Sequence, residues 1–240
     1  DDVRGLDQVT EHVVNLVKNH PAMLAYYVSD ENSLEEYPAV RALRERISRI
    51  DPWHPTVTLT CVENLFESCA KTGDILSWDY YPVRTSPPAR QTFDYKGFRR
   101  TIDVLIPHWF TAQAMQWLRD RDKGARSPEL PELRAMCYAA LIYNSKGVMF
   151  YSYPYVLALM DISPDEGQKL WANVCCVAKE LNCLSDWVLS LETAPAVKII
   201  SQTPGAGTSE IVARAFRAKG KSLVLIVSNG PGLVSATLQL

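Results

Sequence analysis

The strongest constraint on the fold is an alternation of short apolar runs with helix-like segments over the first 190 residues. Residues 22–28 (AMLAYYV) illustrate the apolar runs, because they are too uniformly apolar for a strand with one face in water. Such a run is typical of a parallel sheet that is covered on both faces. Apolar residues at helical spacing separate the runs. The order predicts right-handed βαβ connections and a parallel sheet.

Five strands, with helices before, between and after them, account for the chain up to about residue 190. Ordinary boundary signals support them, since Gly73 suits the end of a helix and Pro131 suits a first helical turn. A complete (β/α)-barrel has eight such units, so we expect a partial barrel. The predicted strands are residues 22–28, 56–61, 75–78, 104–110 and 147–152, and the predicted helices are residues 6–19, 33–50, 62–71, 91–101, 131–144 and 165–191.

The pattern changes after Pro195, where short runs rich in β-branched residues are separated by glycine-containing turns. This pattern is typical of antiparallel hairpins. We therefore expect an α/β fold, with a partial (β/α)-barrel over residues 1–195 and a small antiparallel β domain over residues 196–240. An open half-barrel exposes a sheet edge and an apolar interior. We also expect the isolated chain to self-associate or to pair with a missing N-terminal barrel segment.

Composition excludes several classes of partner. The net charge is -2 and no basic run with interleaved aromatics occurs, so a nucleic-acid partner is not expected. No apolar run reaches the ~18 residues of a membrane span, so no membrane partner is expected either. None of the six cysteines forms a CxxC pair, which argues against zinc-ribbon and thioredoxin-like sites. Free thiols are favoured over disulfides, and no cofactor is expected.

Several polar residues follow the predicted strands, where the active sites of (β/α)-barrels lie. They are Asp30 and Glu31 after the first strand, Asp79 after the third, and His108 and Gln113 around the end of the fourth. Glycoside hydrolysis needs two carboxylates across the scissile bond, so the pattern favours a carbohydrate substrate. Aromatic residues placed to stack on sugar rings are Trp78, Tyr80, Tyr81, Trp109 and Tyr153.

Four segments resemble the large clan of retaining (β/α)8-barrel glycoside hydrolases, which includes β-galactosidase-like and cellulase-like enzymes. Residues 25–31 (AYYVSDE) resemble its fourth strand, residues 78–82 its sixth, residues 106–114 its seventh and residues 134–152 its eighth with the preceding helix. The β segment beyond them is similar to the sandwich that often follows these barrels. The resemblance implies that strands one to three lie upstream and that Glu31 is the general acid/base. It also favours an extracellular or secreted location.

One departure from that clan leaves the mechanism open. The clan places a nucleophilic glutamate at the end of its seventh strand, but this chain has Gln113 there, and an amide cannot form a glycosyl ester. Asp79 could replace the nucleophile, Asp79 could act as the base of an inverting mechanism, or the domain could bind sugar without cleaving it. Asp30 is expected to orient its neighbours and contact the substrate. A metal-dependent hydrolase using Asp30, Asp79 and His108 is a further alternative, although metal barrels usually recruit several histidines.

Overall fold

A computed structural model describes residues 3–84, 94–202, 210–230 and 235–240. A five-stranded parallel sheet has the strand order β1-β2-β3-β4-β5, and two antiparallel pairs, β6-β9 and β7-β8, follow it. This arrangement confirms the predicted fold class, a partial (β/α)-barrel followed by a small antiparallel β domain. The strands are β1 Tyr26–Asp30, β2 Thr56–Leu59, β3 Ile75–Tyr80, β4 His108–Gln113, β5 Gly147–Tyr151, β6 Lys198–Gln202, β7 Ile211–Ala218, β8 Lys221–Ser228 and β9 Ala236–Gln239.

Helices lie before, between and after the parallel strands. Short 3-10 turns at Glu63–Leu65 and Leu118–Lys123 supplement them. Helix α6 was not predicted from the sequence. Both α6 and α7 have a proline in their first turn, Pro154 and Pro164, where a proline suits the start of a helix. The helices are α1 Val3–Val17, α2 Tyr37–Ile50, α3 Phe66–Cys69, α4 Lys96–Thr101, α5 Leu130–Ile142, α6 Tyr153–Ile162 and α7 Pro164–Val188.

Two strand boundaries differ from the prediction in ways that affect the site. Strand β4 begins at His108 and ends at Gln113, so His108 opens the strand. The preceding Pro107 lacks an N–H, and its carbonyl accepts a hydrogen bond from Leu76 N (3.0 Å), which suits a position just before a strand. Strand β1 begins at Tyr26, and its side chains at Tyr26 and Ser29 are buried while those at Tyr27 and Asp30 are exposed. The expectation that both of its faces are covered is therefore wrong, because Tyr27 is 50% exposed.

The chain forms two compact units. The first comprises Asp1–Asp79 and Asp103–Trp109. Its core includes Val14 of α1, Tyr26 of β1 and Ile47 of α2. The apolar stripes of these two helices thus pack on the strand that leads to Asp30 and Glu31.

The second unit comprises Tyr80–Ile102 and Phe110–Leu240. Helix α5 packs against α7 and against strands β7 and β8. Leu133, Met136 and Ala140 on α5 are fully buried, so this helix lies in the core of the unit. All four antiparallel strands lie beyond residue 195, and the domain boundary expected there stays a prediction.

The outer surface of α1 carries exposed apolar side chains, including Val9 and Leu16. The association expected for the isolated chain stays a prediction. Over the described parts of the chain, no helix combines the length and the apolar character that crossing a bilayer requires. All six cysteines are free thiols, and Cys69 and Cys137 are buried.

Candidate functional site

The pairing of the first three strands brings three side chains to one edge of the sheet. Asp30 is paired with Leu59, and Leu59 with Ser77, so these residues form one row across β1, β2 and β3. Side chains two residues apart on a strand point to the same face. Cys61 lies two residues beyond Leu59, and Asp79 lies two residues beyond Ser77. Both therefore leave the sheet at its carboxyl end and on the same face.

Glu31 reaches this group through an unusual backbone. The pairing of β1 with β2 shifts between Tyr27 and Ser29, so Val28 is the extra residue of a bulge. Just beyond the strand, Glu31 adopts a positive φ of 53°, and its N–H donates to Leu59 O (3.1 Å). A left-handed backbone costs a non-glycine residue of order 1–3 kcal/mol, and such strain clusters at functional positions. The bulge and the turn together direct the Glu31 carboxylate towards β2 and β3.

The three side chains form a compact group, here called the carboxylate cluster: Glu31, Cys61 and Asp79. One oxygen of each carboxylate and the Cys61 sulfur all lie within 4.8 Å of one another. Glu31 is exposed, whereas Asp79 is 6% exposed. The cluster therefore combines a carboxylate that faces solvent with one that is held in the protein.

The pKa of the Cys61 thiol reflects the charges of the two carboxylates beside it. Burial of the thiol, a hydrogen bond to Glu31 and the charges of Glu31 and Asp79 raise the pKa of Cys61 to about 12. Cys61 is therefore a thiol at neutral pH, and it donates its proton to the Glu31 carboxylate. A nucleophilic cysteine needs the opposite shift, towards the thiolate. The cluster offers carboxylate chemistry and no thiolate nucleophile.

Asp30 lies beside the cluster and is held by Tyr27. Burial and the charge of Asp30, together with a hydrogen bond to it, raise the pKa of the Tyr27 hydroxyl, and the charges of Asp79 and Glu31 add to the shift. The phenol therefore stays protonated and donates to the Asp30 carboxylate. The Asp30 carboxylate is thus held by Tyr27, while the role expected of Asp30 at the substrate stays a prediction. This contact also adds Tyr27, which was not predicted, to the surroundings of the cluster.

The two tryptophans predicted in the first unit have different environments. Trp78 is 2% exposed, and its ring packs on Phe66 with centroids 5.7 Å apart. Because alternate residues of β3 face opposite sides, Trp78 points into the core while its neighbour Asp79 joins the cluster. Trp78 therefore has no exposed face for a sugar ring. Trp109, the second residue of β4, is partly exposed.

The three predicted tyrosines of the second unit pack on other aromatic rings. Tyr81 is partly exposed and stacks on Tyr151, with centroids 5.5 Å apart and an interplanar angle of 21°. Tyr80 makes an edge contact with Phe98, and Tyr153 is exposed beside Trp171. Tyr81 and Tyr151 thus provide a partly exposed aromatic surface, and Tyr153 is a separate exposed ring.

Gln113 and His108 occupy buried positions. The Gln113 amide accepts a hydrogen bond from Val83 N (2.8 Å) and donates to Val83 O (2.6 Å) and Met115 O (3.2 Å). Both amide hydrogens and the oxygen are thus engaged with backbone. His108 is 2% exposed at the start of β4, which is not the end of a strand at which barrel sites lie. The hydrogen bonds of Gln113 to backbone occupy its amide, and His108 lies at the opposite end of its strand from a barrel site.

The carboxylate cluster has donors that could hold a metal ion. Zinc is bound by carboxylate oxygen and thiolate sulfur, and the three donor atoms are close enough to share one ion. Asp30 and His108, which the sequence suggested as metal ligands with Asp79, do not belong to this group. Binding a cation through sulfur would require Cys61 to lose its proton first.

Sequence reasoning brought Glu31 and Asp79 to one edge but missed Cys61 as a member of the site. Its position at the end of the second predicted strand was visible, yet a thiol there is usually a small apolar side chain. The strand register was the missing information, since it aligns Cys61 with Asp79. Comparison of the chain with protein-family models and with curated proteins finds no match.

Proposed function

We propose that the protein is a glycoside hydrolase that acts on an oligosaccharide or polysaccharide, with Glu31 as the general acid/base. The observation that carries the proposal is the approach of the Glu31 and Asp79 carboxylates to within 4.8 Å at the carboxyl ends of β1 and β3. Most glycoside hydrolases cleave the glycosidic bond with a pair of carboxyl groups, and barrel enzymes hold such groups at the ends of their strands. The resemblance of residues 25–31 to a glycosidase acid/base strand supports the same assignment.

The separation of the two carboxylates favours a retaining mechanism. Retaining enzymes hold their carboxyl groups about 5–5.5 Å apart, whereas inverting enzymes leave about 6.5–9.5 Å for a water molecule. In the proposed reaction, Asp79 attacks the anomeric carbon while Glu31 protonates the departing glycosidic oxygen. Glu31 then removes a proton from water, which attacks the anomeric carbon and releases Asp79. Asp79 thus takes the part that Gln113 cannot perform.

The decisive experiment compares the wild-type protein with Glu31→Gln on a panel of polysaccharides and aryl glycosides, measured as released reducing sugar or aryl alcohol. Loss of a general acid lowers the rate by about 10²–10⁴-fold. Glu35→Gln, at an exposed position four residues later, is the matched control and should keep full activity. Unchanged turnover in Glu31→Gln would refute the assignment of Glu31. For the wild-type protein, NMR detection of the first anomer formed tests whether the anomeric configuration is retained.

A sugar-binding protein without hydrolytic activity is the second candidate. The observation that favours it is Gln113, whose amide is bound to backbone at the position of the clan's nucleophile. The partly exposed Tyr81 and Tyr151 rings suit stacking on a sugar. Glycan-array binding without any hydrolysis by the wild-type protein would support this candidate. Any hydrolysis that requires Glu31 would reject it.

A further inference from the structure

The second unit carries an open cavity of about 640 Å³. None of the described residues that line it belongs to the carboxylate cluster. This volume is within the range of small-molecule sites. The C-terminal ends of α5 and α7, the segment after α7 and strand β7 supply most of its lining. Its charged residues are four cations and two carboxylates, a net charge of +2. They are Arg99, Lys146, Arg214, Arg217, Glu192 and Glu210.

The two carboxylates of the cavity already have partners. Glu210 forms an ion pair with Arg99. Glu192 accepts hydrogen bonds from the backbone N–H groups of Lys219 (2.6 Å) and Gly220 (3.2 Å), and it lies 3.7 Å from Arg217. The positive charge that remains without a carboxylate partner in the described residues belongs to Lys146 and Arg214.

These two cations are half-buried, and their hydrogen bonds within the described residues go to backbone carbonyls at helix ends. Lys146 Nζ donates to Val188 O (2.9 Å) at the end of α7, and Arg214 Nη1 donates to Ile142 O (3.1 Å) at the end of α5. An ammonium has three N–H donors and a guanidinium has five, so each keeps donors for another acceptor. Burial, followed by the positive charge of Arg214, lowers the pKa of Lys146. The two cations therefore repel each other, and an anion between them would relieve that repulsion.

Apolar side chains complete the lining beside the two cations. They include Ile142, Val188 and Phe216, and the Arg214 guanidinium lies 5.5 Å from the centre of the Phe216 ring. We propose that this cavity binds an organic anion whose carboxylate, sulfate or phosphate group lies between Lys146 and Arg214. The apolar body of the ligand would contact Ile142, Val188 and Phe216. This proposal is independent of the glycosidase assignment.

A matched pair of fluorescent probes tests the site on the full chain. Anilinonaphthalene sulfonate and phenylnaphthylamine share an aromatic body, but only the first is an anion. At constant ionic strength, the sulfonate should bind at least about tenfold more tightly than the neutral amine, because charge-assisted hydrogen bonds are the stronger class. Competition by acetate, sulfate and phosphate, each added at the same ionic strength, then ranks the three head groups.

Two variants locate the binding. Lys146→Met and Arg214→Gln should each weaken sulfonate binding at least about tenfold, whereas Lys123→Met, an exposed cation outside the cavity, should bind like wild type. A purely structural role at the helix ends predicts lower melting temperatures and unchanged sulfonate affinity in the variants that fold, and that result would overturn the proposal. Equal binding of the two probes by the wild-type protein would overturn it without any variant.

Discussion

Two regions of the parallel sheet carry side chains of the kind that hydrolases use. One is the carboxyl end of β1 and β3, which has ionisable carboxyl groups, and the other is the carboxyl end of β4, which has a neutral amide. At the first, Glu31 and Asp79 bring two carboxyl groups within 4.8 Å of each other. At the second, Gln113 uses its whole amide on the backbone of Val83 and Met115. A polar residue at a strand end can thus be available for catalysis, or it can be hydrogen-bonded to the backbone of a loop. Its position along the strand does not show which of these two roles it has.

Substitutions at the carboxylate cluster and at Gln113 should therefore have different effects on activity and on stability. Crowding two ionisable carboxyl groups is unfavourable for folding, and such crowding is found where a reaction needs it. A buried amide with all its hydrogen bonds made is favourable for folding, and leaving its partners unsatisfied is costly. We therefore expect substitutions in the carboxylate cluster to affect rate, and substitutions at Gln113 to affect stability.

The largest effect is expected from Asp79→Asn. Because an amide cannot form the glycosyl ester, the hydrolysis rate should fall by at least about 10⁴-fold, the scale seen when a nucleophile is removed. The melting temperature should be unchanged or higher, since one of two crowded ionisable carboxyl groups is gone. Both are measurable, by initial rates and by thermal denaturation.

The matched control for that experiment is Asp74→Asn, just before β3. Asp74 accepts hydrogen bonds from Arg44, Thr56 N and Thr56 Oγ1, and these partners outweigh burial and lower its pKa. Its loss should lower stability and leave the rate unchanged. If Asp79→Asn behaves like Asp74→Asn, Asp79 is a structural residue and the comparison between the two strand ends fails.

The next largest effect is expected from Gln113→Glu, which introduces the residue type that the glycosidase clan has at the end of its seventh strand. The new oxygen would face Val83 O and Met115 O, where the amide now donates. We expect the free energy of unfolding to fall by about 2–4 kcal/mol, with no gain in hydrolysis. Urea denaturation followed by tryptophan fluorescence measures the change.

Gln168→Glu, on an exposed face of α7, controls for the added charge and should change stability by less than about 0.5 kcal/mol. A stable and more active Gln113→Glu variant would show that the β4 end belongs to the reaction centre, contrary to the contrast drawn with β1 and β3.

The same contrast explains what sequence reasoning could and could not predict. Apolar runs and helical periodicity identified the parallel sheet, and the rule for barrel strand ends then brought Glu31 and Asp79 to one edge. Residue type alone could not show that the Gln113 amide is hydrogen-bonded to backbone, because its main partner, Val83, lies 30 residues away in sequence. Such contacts depend on the folded chain and leave no local signal.

Register errors account for the other differences. Strand β4 begins after Pro107, a few residues later than predicted, and this places His108 at the wrong end of its strand for a barrel site. The alignment of Cys61 with Asp79 depends on the register of β2 with β3, which the sequence does not reveal. Element type is determined by composition over a window, whereas a boundary is determined by individual hydrogen bonds.

A smaller effect is expected at Asp51, a carboxylate that accepts hydrogen bonds from two side chains and two backbone N–H groups. Burial alone would raise its pKa, but hydrogen bonds from Tyr26, His54 and the backbone of Trp53 and His54 outweigh it and lower the pKa from 3.8 to about 2. Because the folded pKa is depressed, this stabilisation is complete above pH 4 and is lost as the pH falls from about 4 to about 2.

Asp51→Asn should therefore be less stable than wild type by about 2 kcal/mol near neutral pH, and the difference should shrink through that acidic interval. Urea denaturation of both proteins between pH 7 and pH 2 measures it. A difference that stays constant with pH would mean that the side chain contributes through packing and not through its charge.

The smallest effect is expected at Cys61, and it reports on the cluster without changing the chemistry. Cys61→Ala should alter kcat/KM by less than about tenfold, since a protonated thiol takes no part in the proposed reaction. With a pKa of about 12, only about one Cys61 in 10,000 is thiolate at pH 8, so iodoacetamide should label Cys61 more slowly than Cys183, although both thiols are exposed. Peptide mass spectrometry measures both sites in one sample. Labelling of Cys61 should accelerate in Asp79→Asn, because that carboxylate helps to raise the thiol pKa, and equal labelling rates in the two proteins would mean that Asp79 does not act on Cys61.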